Sequence, residues 1–259
     1  MIIKSIELAN YRNYDSLQLS FDKGVNILYG DNAQGKTNVL EAIFVSATTK
    51  SHKGSKDKDI IKFEQDESHI RSIIERRDME YRVDMHLRQY KTKGIAINGQ
   101  KIKKASELIG LLNVVFFSPE DLSIIKNGPS ERRRFIDMEL CQLDKSYLYN
   151  LNQYNKILNN RNKLLKDIIF NPALKDTLDI WDEQLVMFGC QIIKRRAAFI
   201  EELNDIIYDI HRKLSGEREE LFIEYEAETQ AENFAAKVRA NRERDLKIGQ
   251  TSSGPHKDD

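Results

Sequence analysis

The sequence is poor in the residues that mark an oxidised, membranous or globally nucleic-acid-binding protein. It has two cysteines and four prolines in 259 residues. Cys141 and Cys190 lie far apart in helix-patterned segments, with no histidine at metal-ligand spacing. That excludes a disulfide framework and argues for reduced structural thiols over a zinc site. No run of about 18 apolar residues occurs, so no segment has the pattern of a bilayer span. The opening Met1 to Leu8 alternates like a strand and lacks the apolar stretch and small-residue cleavage site of a signal peptide, so a cytoplasmic location is expected. Lys and Arg number 41 and Asp and Glu 41, a net charge of zero, so any affinity for nucleic acid must come from local patches. The five histidines are scattered and suggest no nucleophile or metal constellation.

What is present is an ordinary globular composition, 40% hydrophobic and 32% charged, long enough for one large or two modest domains. The first third is patterned for strands. Ile6 and Leu8, then Leu17, Leu19 and Phe21, alternate around a turn-like Asn10 to Tyr14 and predict two antiparallel strands. A third strand is expected over Val25 to Tyr29 and a helix over Lys36 to Val45. Beyond a basic loop from Lys50 to Lys58, short strands are expected over Ile70 to Arg76, Tyr81 to Leu87 and Ile95 to Ile97, the last ending at the Asn98-Gly99 turn. Leu111 to Phe117 reads as a buried strand.

From Pro129 the period changes. Pro129 and Ser130 open a helix to Leu143. Tyr147, Leu151, Tyr154, Leu158 and Leu165 form one apolar stripe, and after a break at Asn171-Pro172 a second stripe runs from Trp181 to Leu214, stopping at Gly216. Two such helices fold back as an antiparallel arm reaching roughly 40 to 60 Å. The plain alternative is a helical subdomain with its own core. Leu221, Ile223 and Tyr225 alternate as a strand, and Glu232 to Lys247 returns to helix.

Chemistry is carried by Gly30-Asp31-Asn32-Ala33-Gln34-Gly35-Lys36-Thr37, which meets the G-x-x-x-x-G-K-[ST] pattern at every fixed position. Glycines let successive amides point at phosphate oxygens, and the following helix offers its positive end. Lys36 then reaches the β- and γ-phosphates of ATP, and the Thr37 hydroxyl is the expected ligand of Mg2+. Asn38 follows directly and is counted with the nucleotide-binding residues.

Several blocks, in order, resemble the RecF family: Asn10 to Tyr14, Gly30 to Ile43, Ser51-His52-Lys53, Phe117 to Leu122, Arg132 to Asp137, Asn160 to Leu165 and the terminal Thr251 to Asp259. The resemblance spans the chain. It implies an α/β P-loop head of ABC/SMC type, with a β-rich nucleotide-binding lobe over 1–125 and a mainly helical second lobe, containing the long antiparallel arm, over 126–259. It also implies ATP-driven homodimerisation, DNA repair, replication and the SOS response, and binding to gapped, single-stranded or duplex DNA. A RecR-like mediator is the implied partner, and loading of recombinase at gaps the implied task. Arg12 is implied to lie near the nucleotide phosphates. Where related ATPases place a lobe-connecting glutamine this chain has Ser118-Pro119, and Ala33 stands where many relatives carry glycine. The sequence shows neither an ABC signature nor an apolar strand ending in Walker B acids, so nucleotide binding with little or no hydrolysis is expected and no catalytic residue is assigned.

DNA contact is expected from two basic clusters, Lys50, Lys53, Lys56 and Lys58, and Arg88, Lys91, Lys93, Lys101, Lys103 and Lys104. The alternative for each is a solvated surface of mixed charge. Arg132 to Arg134, at a helix start, are expected to pair with nearby carboxylates, the alternative being DNA or a neighbouring subunit. Three other classes remain open: a transporter-type ABC ATPase, which would show a glutamine loop; a P-loop kinase, which would need an arginine-bearing lid; and an interaction scaffold with an idle nucleotide site.

Overall fold

The computed structural model describes residues 1–259, the side chain of Glu120 excepted. The chain divides into two compact units, Met1–Ser118 and Pro119–Asp259.

The first unit is built on six antiparallel strands, β1 (Ile2–Tyr11), β2 (Tyr14–Ser20), β3 (Glu67–Arg76), β4 (Met79–Arg88), β5 (Gly94–Ile97) and β6 (Gln100–Lys101), in the order β2-β1-β3-β4-β5-β6. The predicted first pair and the meander are all present. The Asn98-Gly99 turn carries both residues at positive φ, 51° and 81°, joining β5 to β6. Alternation sorts the faces: Ile6, Leu8, Ile70, Ile74, Val83, Met85 and Leu87 point to one side, where they are buried with Val39, Ala42 and Val45 of α1 (Lys36–Thr48). A four-residue helix, α2 (Asp57–Ile60), adds Ile60 to the same core. The opposite face presents Glu7, Glu67, His69, Arg71, Asp84 and His86.

Two expected strands do not form. Val25 to Tyr29 runs into the glycine loop without regular structure, and Val25, Ile27 and Tyr29 are 87%, 78% and 91% exposed. Leu111 to Phe117, expected as a buried strand, buries Leu112 and sets Phe116 against Phe44, yet Val115 and Phe117 stand outward and the segment is irregular. A period-two apolar pattern states which faces a segment can offer. A strand also needs a neighbouring backbone to complete its ladder. Neither segment joins the ladder of the six strands.

In the second unit a short α3 (Ser123–Lys126) precedes α4 (Pro129–Leu143), α5 (Lys145–Ile168) and α6 (Leu178–Ser215). Pro129 occupies the first turn of α4, and the Asp144 carboxylate caps α5 by accepting from the Ser146 and Tyr147 amides. The break at Asn171-Pro172 is a 3-10 turn, and Gly216, at φ 64°, closes α6. The two long helices are antiparallel: Arg161 of α5 bonds Asp182 of α6, while Tyr147, nearer the start of α5, meets Arg196 further along α6. At 38 residues α6 is about 57 Å long. Gly189 lies mid-helix because the Phe234 ring fills the space a side chain would take, 2.4 Å from where its Cβ would stand.

The helical return expected from Glu232 is split at Asn241 into α7 (Phe234–Ala240) and α8 (Arg242–Ile248). Leu221 to Tyr225 is not a strand. Its edge is met instead by the Asn204 side-chain amide, which donates to the Ile223 carbonyl and accepts from the Ile223 amide, both at 2.8 Å. Cys141 is buried and Cys190 half-buried, and neither is joined in a disulfide.

Buried ion pairs hold this unit together. Arg161, wholly buried, donates to Asp182 at 2.7 Å, Asp245 at 2.8 Å and the Thr251 hydroxyl at 2.8 Å. Arg196 donates to Asp137 at 2.8 Å and the Pro255 carbonyl at 2.7 Å. Arg132 forms a two-pronged pair with Asp259, and Arg133 bonds the Asp258 carbonyl. The conspicuous blocks near 132, 161 and 251 therefore converge on a polar framework of one unit.

Candidate functional site

The glycine loop is the junction between the extended Val25 to Tyr29 segment and α1. Gly30 and Gly35 sit at φ 140° and 95°, values that L side chains rarely adopt, and Gly35 is the N-cap of α1. Ala33 also takes a left-handed φ of 65°, which its Cβ makes less favourable by about 1 kcal/mol. Gly30 to Gln34 and Thr37 are exposed, and Gly35, Lys36 and Asn38 partly so. Among the described residues, the amides of Asp31 to Gly35 donate to no protein acceptor. The loop thus places unsatisfied N–H groups and a helix N-terminus on solvent, the arrangement that receives a phosphate chain. The Lys36 ammonium lies over the same loop, donating to the carbonyls of Gly30 at 2.7 Å and Asp31 at 2.6 Å.

The loop is braced by the β1–β2 turn. Asn13 Nδ2 and the Tyr14 hydroxyl both donate to the Gln34 carbonyl, at 3.3 and 3.2 Å, and Asn38 Nδ2 donates to Asn13 Oδ1 at 2.8 Å. A Cβ on Gly35 would stand 2.6 Å from both Asn13 Oδ1 and the Tyr14 hydroxyl oxygen. The family resemblance singled out Arg12 in this turn, and neither it nor the residue pattern pointed to Asn13 and Tyr14 as supports of the loop. The Asn-Tyr-Arg-Asn-Tyr string gives no local sign of a contact some twenty residues ahead.

Arg12 takes a left-handed conformation, φ 51°, and turns its guanidinium onto Glu41 of α1 in a two-pronged pair at 2.8 and 2.6 Å. It also donates to the Asp59 carbonyl at 2.7 Å and to Ser55 Oγ at 2.8 Å. Glu41 is fully buried and accepts a third bond from Ser51 Oγ at 2.5 Å. Burial alone would push its carboxyl up. The bonds from Arg12 and Ser51 outweigh that, and the group titrates below its ordinary range. His52 lies against Phe116, ring centroids 4.0 Å apart. The Ser51-His52-Lys53 block is therefore a buttress for Glu41, Arg12 and the base of α1.

Of the two basic clusters, Lys50, Lys53, Lys56 and Lys58 are exposed, as are Lys91, Lys101, Lys103 and Lys104. Lys93 is committed to the fold: its ammonium donates to the Thr49 carbonyl at 2.5 Å and Asp57 at 2.9 Å, tying the β4–β5 connection to the segment that carries the first cluster. Arg132 and Arg134 meet carboxylates, Asp259 and Glu131, as the pattern led us to expect.

A glycine loop at the start of a core helix, with its lysine and threonine at the loop's end, beside an antiparallel sheet and with a separate helical unit following in the chain, defines a P-loop ATPase head of ABC/SMC type. Comparison with known proteins agrees. An AAA domain family model matches residues 5–246. DNA replication and repair protein RecF of Agathobacter rectalis is 62% identical over the whole chain, which spans 72% of that relative's length. RecF of Lachnoclostridium phytofermentans is 60% identical with the same coverage. Among solved structures, RecF-ATP and RecF-ATPrS, of the recombination mediator protein in the RecFOR pathway, match with TM-scores of 0.92 and 0.90 at 36% identity, covering all of this chain and 72% of theirs. The chain belongs to the RecF family of DNA replication and repair proteins.

Proposed function

We propose that this chain binds ATP with Mg2+ at Gly30 to Asn38 and works in recombinational DNA repair, supporting the loading of recombinase at gaps. The observation that carries the proposal is the set of unpaired amides from Asp31 to Gly35, with the Lys36 ammonium within reach, on a solvent-facing loop at the N-terminus of α1. The residues fit a triphosphate. The amides and Lys36 supply donors for its oxygens, and the hydroxyl of Thr37, a residue exposed at the helix start, would join the shell of a phosphate-bound Mg2+. Entry of the phosphates exchanges the Lys36 bonds to the Gly30 and Asp31 carbonyls for stronger, charge-assisted ones.

Arg12 acts in this reading beside the phosphates, from a turn whose next residue, Asn13, already touches the loop. Its Glu41 pair orients it. Membership of the RecF family, together with the ATP-bound relatives, supports gapped, single-stranded or duplex DNA, a RecR-like mediator and an ATP-dependent homodimer as partners. The exposed lysines of the two clusters supply the phosphate contacts.

Fluorescent ATP titration of the wild-type chain and of Lys36→Ala tests the nucleotide half. Saturable binding that falls at least about tenfold in the variant, a loss of roughly 1.4 kcal/mol, is expected. Equal and negligible affinity in both rejects it. For the repair half, absence of binding to gapped duplex even at low ionic strength is the rejecting result.

A further inference from the structure

The exposed face of the sheet carries a side-chain cluster that the nucleotide site does not use. His69 on β3 and His86 on β4 stand directly opposite in register, their rings stacked with centroids 4.1 Å apart and planes at 22°. Glu67, two residues before His69 and so on the same face, approaches both: one carboxylate oxygen is 2.7 Å from His86 Nε2 and the other 3.6 Å from His69 Nε2. One ligand atom from each of the three residues lies within 4.8 Å of the others.

The neighbours leave this cluster open. In the same cross-strand row, Ala9 of β1 opposes His69 and Gly94 of β5 opposes His86. The two imidazoles are thus flanked by very small residues, and even a Cβ at Gly94 would meet Arg88 Nη2 at 3.7 Å and His86 Cβ at 3.9 Å, ordinary contacts. The nearby cations are largely engaged elsewhere. Arg71 is paired with Asp84 at 2.7 Å and Glu7 at 3.3 Å. Arg88, opposite Glu67 in the ladder, turns its guanidinium to the Thr92 carbonyl at 3.4 Å.

We propose that Glu67, His69 and His86 form a binding site for a first-row transition dication of the zinc type, with two imidazole nitrogens and one carboxylate oxygen as protein ligands and water completing the shell. Imidazole nitrogen suits Zn2+, Co2+, Ni2+ and Cu2+, whereas Mg2+ and Ca2+ take oxygen ligands, so the donor set separates this site from any Mg2+ at Thr37. In a tetrahedral shell with metal–nitrogen bonds of about 2.0–2.1 Å the ligand atoms lie roughly 3.3 Å apart. The present atoms lie within 4.8 Å of one another, so closing takes at most about 1.5 Å, while the 2.7 Å Glu67–His86 pair opens slightly, both within reach of side-chain rotation at an open surface. The metal would clip β3 to β4 near the open end of their hairpin, far from the Arg77-Asp78 turn.

The test uses the whole chain, nucleotide-free and reduced, with Zn2+ by calorimetry and Co2+ by absorption. One equivalent bound is expected, with a rise in unfolding temperature on adding metal. The double variant His69→Gln with His86→Gln is expected to lose both effects, and Glu67→Gln to weaken binding by more than roughly tenfold, the lower range for losing even a supporting partner of a metal ligand. Cys190→Ser is expected to bind as the wild type does. These are surface positions, so equal metal-free unfolding temperatures separate loss of a ligand from loss of fold. Unchanged affinity in the double histidine variant, a thiolate-type Co2+ spectrum, or no binding at millimolar metal overturns the proposal.

Discussion

Gly35 is held to its identity twice over, by a φ of 95° and by the Asn13 and Tyr14 side chains pressed against it. Gly35→Ala is expected to displace the β1–β2 turn or the loop and to reduce ATP affinity at least about tenfold, roughly 1.4 kcal/mol, in the same fluorescence titration. An unchanged affinity would show that the bracing has no bearing on nucleotide. A second residue, His256, offers a pH readout. Its Nε2 faces the Thr251 carbonyl and must carry the proton, leaving Nδ1 to accept from the Tyr154 hydroxyl at 2.7 Å. Burial lowers its pKa from 6.5 to about 4. The unfolded chain therefore takes up a proton below pH 6.5 that the folded chain refuses until about pH 4, so His256 stabilises the fold above pH 6.5 and that contribution is lost as pH falls between the two values. An NMR titration of the His256 ring in the native protein is expected to show a midpoint near 4, and one near 6.5 would refute the assignment. At this scale the motif residues from Gly30 to Thr37 were legible, because a phosphate loop is a local pattern. The supports of Gly35, and the meeting of His69 with His86, were not. They depend on strand register, which no single stretch of sequence states.

Among the elements, α6 shows how a helix tolerates a glycine at its centre. The Phe234 ring of α7 occupies the volume above Gly189. Gly189→Ala improves intrinsic helix propensity by about 1 kcal/mol but forces the ring aside, so a net loss of about 1 to 2 kcal/mol is expected in chemical denaturation. Stabilisation would mean that the ring moves freely. The three long helices of the second unit, α4 to α6, were readable almost to their ends, since Pro129, the Asn171-Pro172 break and Gly216 are strong terminators and the apolar stripes are long. The extended segments were less so. Val25 to Tyr29 and Leu111 to Phe117 carry the apolar character of a strand, and Leu221 to Tyr225 carries its alternation. A strand is completed by a partner elsewhere in the chain, and alternation reports only half of that requirement.

For the molecule as a whole, a net charge of zero leaves no broad field to draw in DNA, so the DNA binding proposed above would have to rest on a few exposed lysines. Replacing Lys53, Lys56 and Lys58 with glutamine is expected to weaken binding to gapped duplex evenly across sequences. It should also flatten the dependence of log affinity on log salt by at most about 0.9 per lysine that touches a phosphate. A slope identical to the wild type would move the contact surface elsewhere. The β1–β2 turn described above has a mechanical corollary. Since its Asn13 and Tyr14 side chains grip the Gln34 carbonyl, the tip of an edge hairpin and the phosphate loop behave as one lever. Whatever quiets the loop should also quiet the hairpin, slowing amide hydrogen exchange along β2 when ATP is added, at a strand the nucleotide itself need never touch.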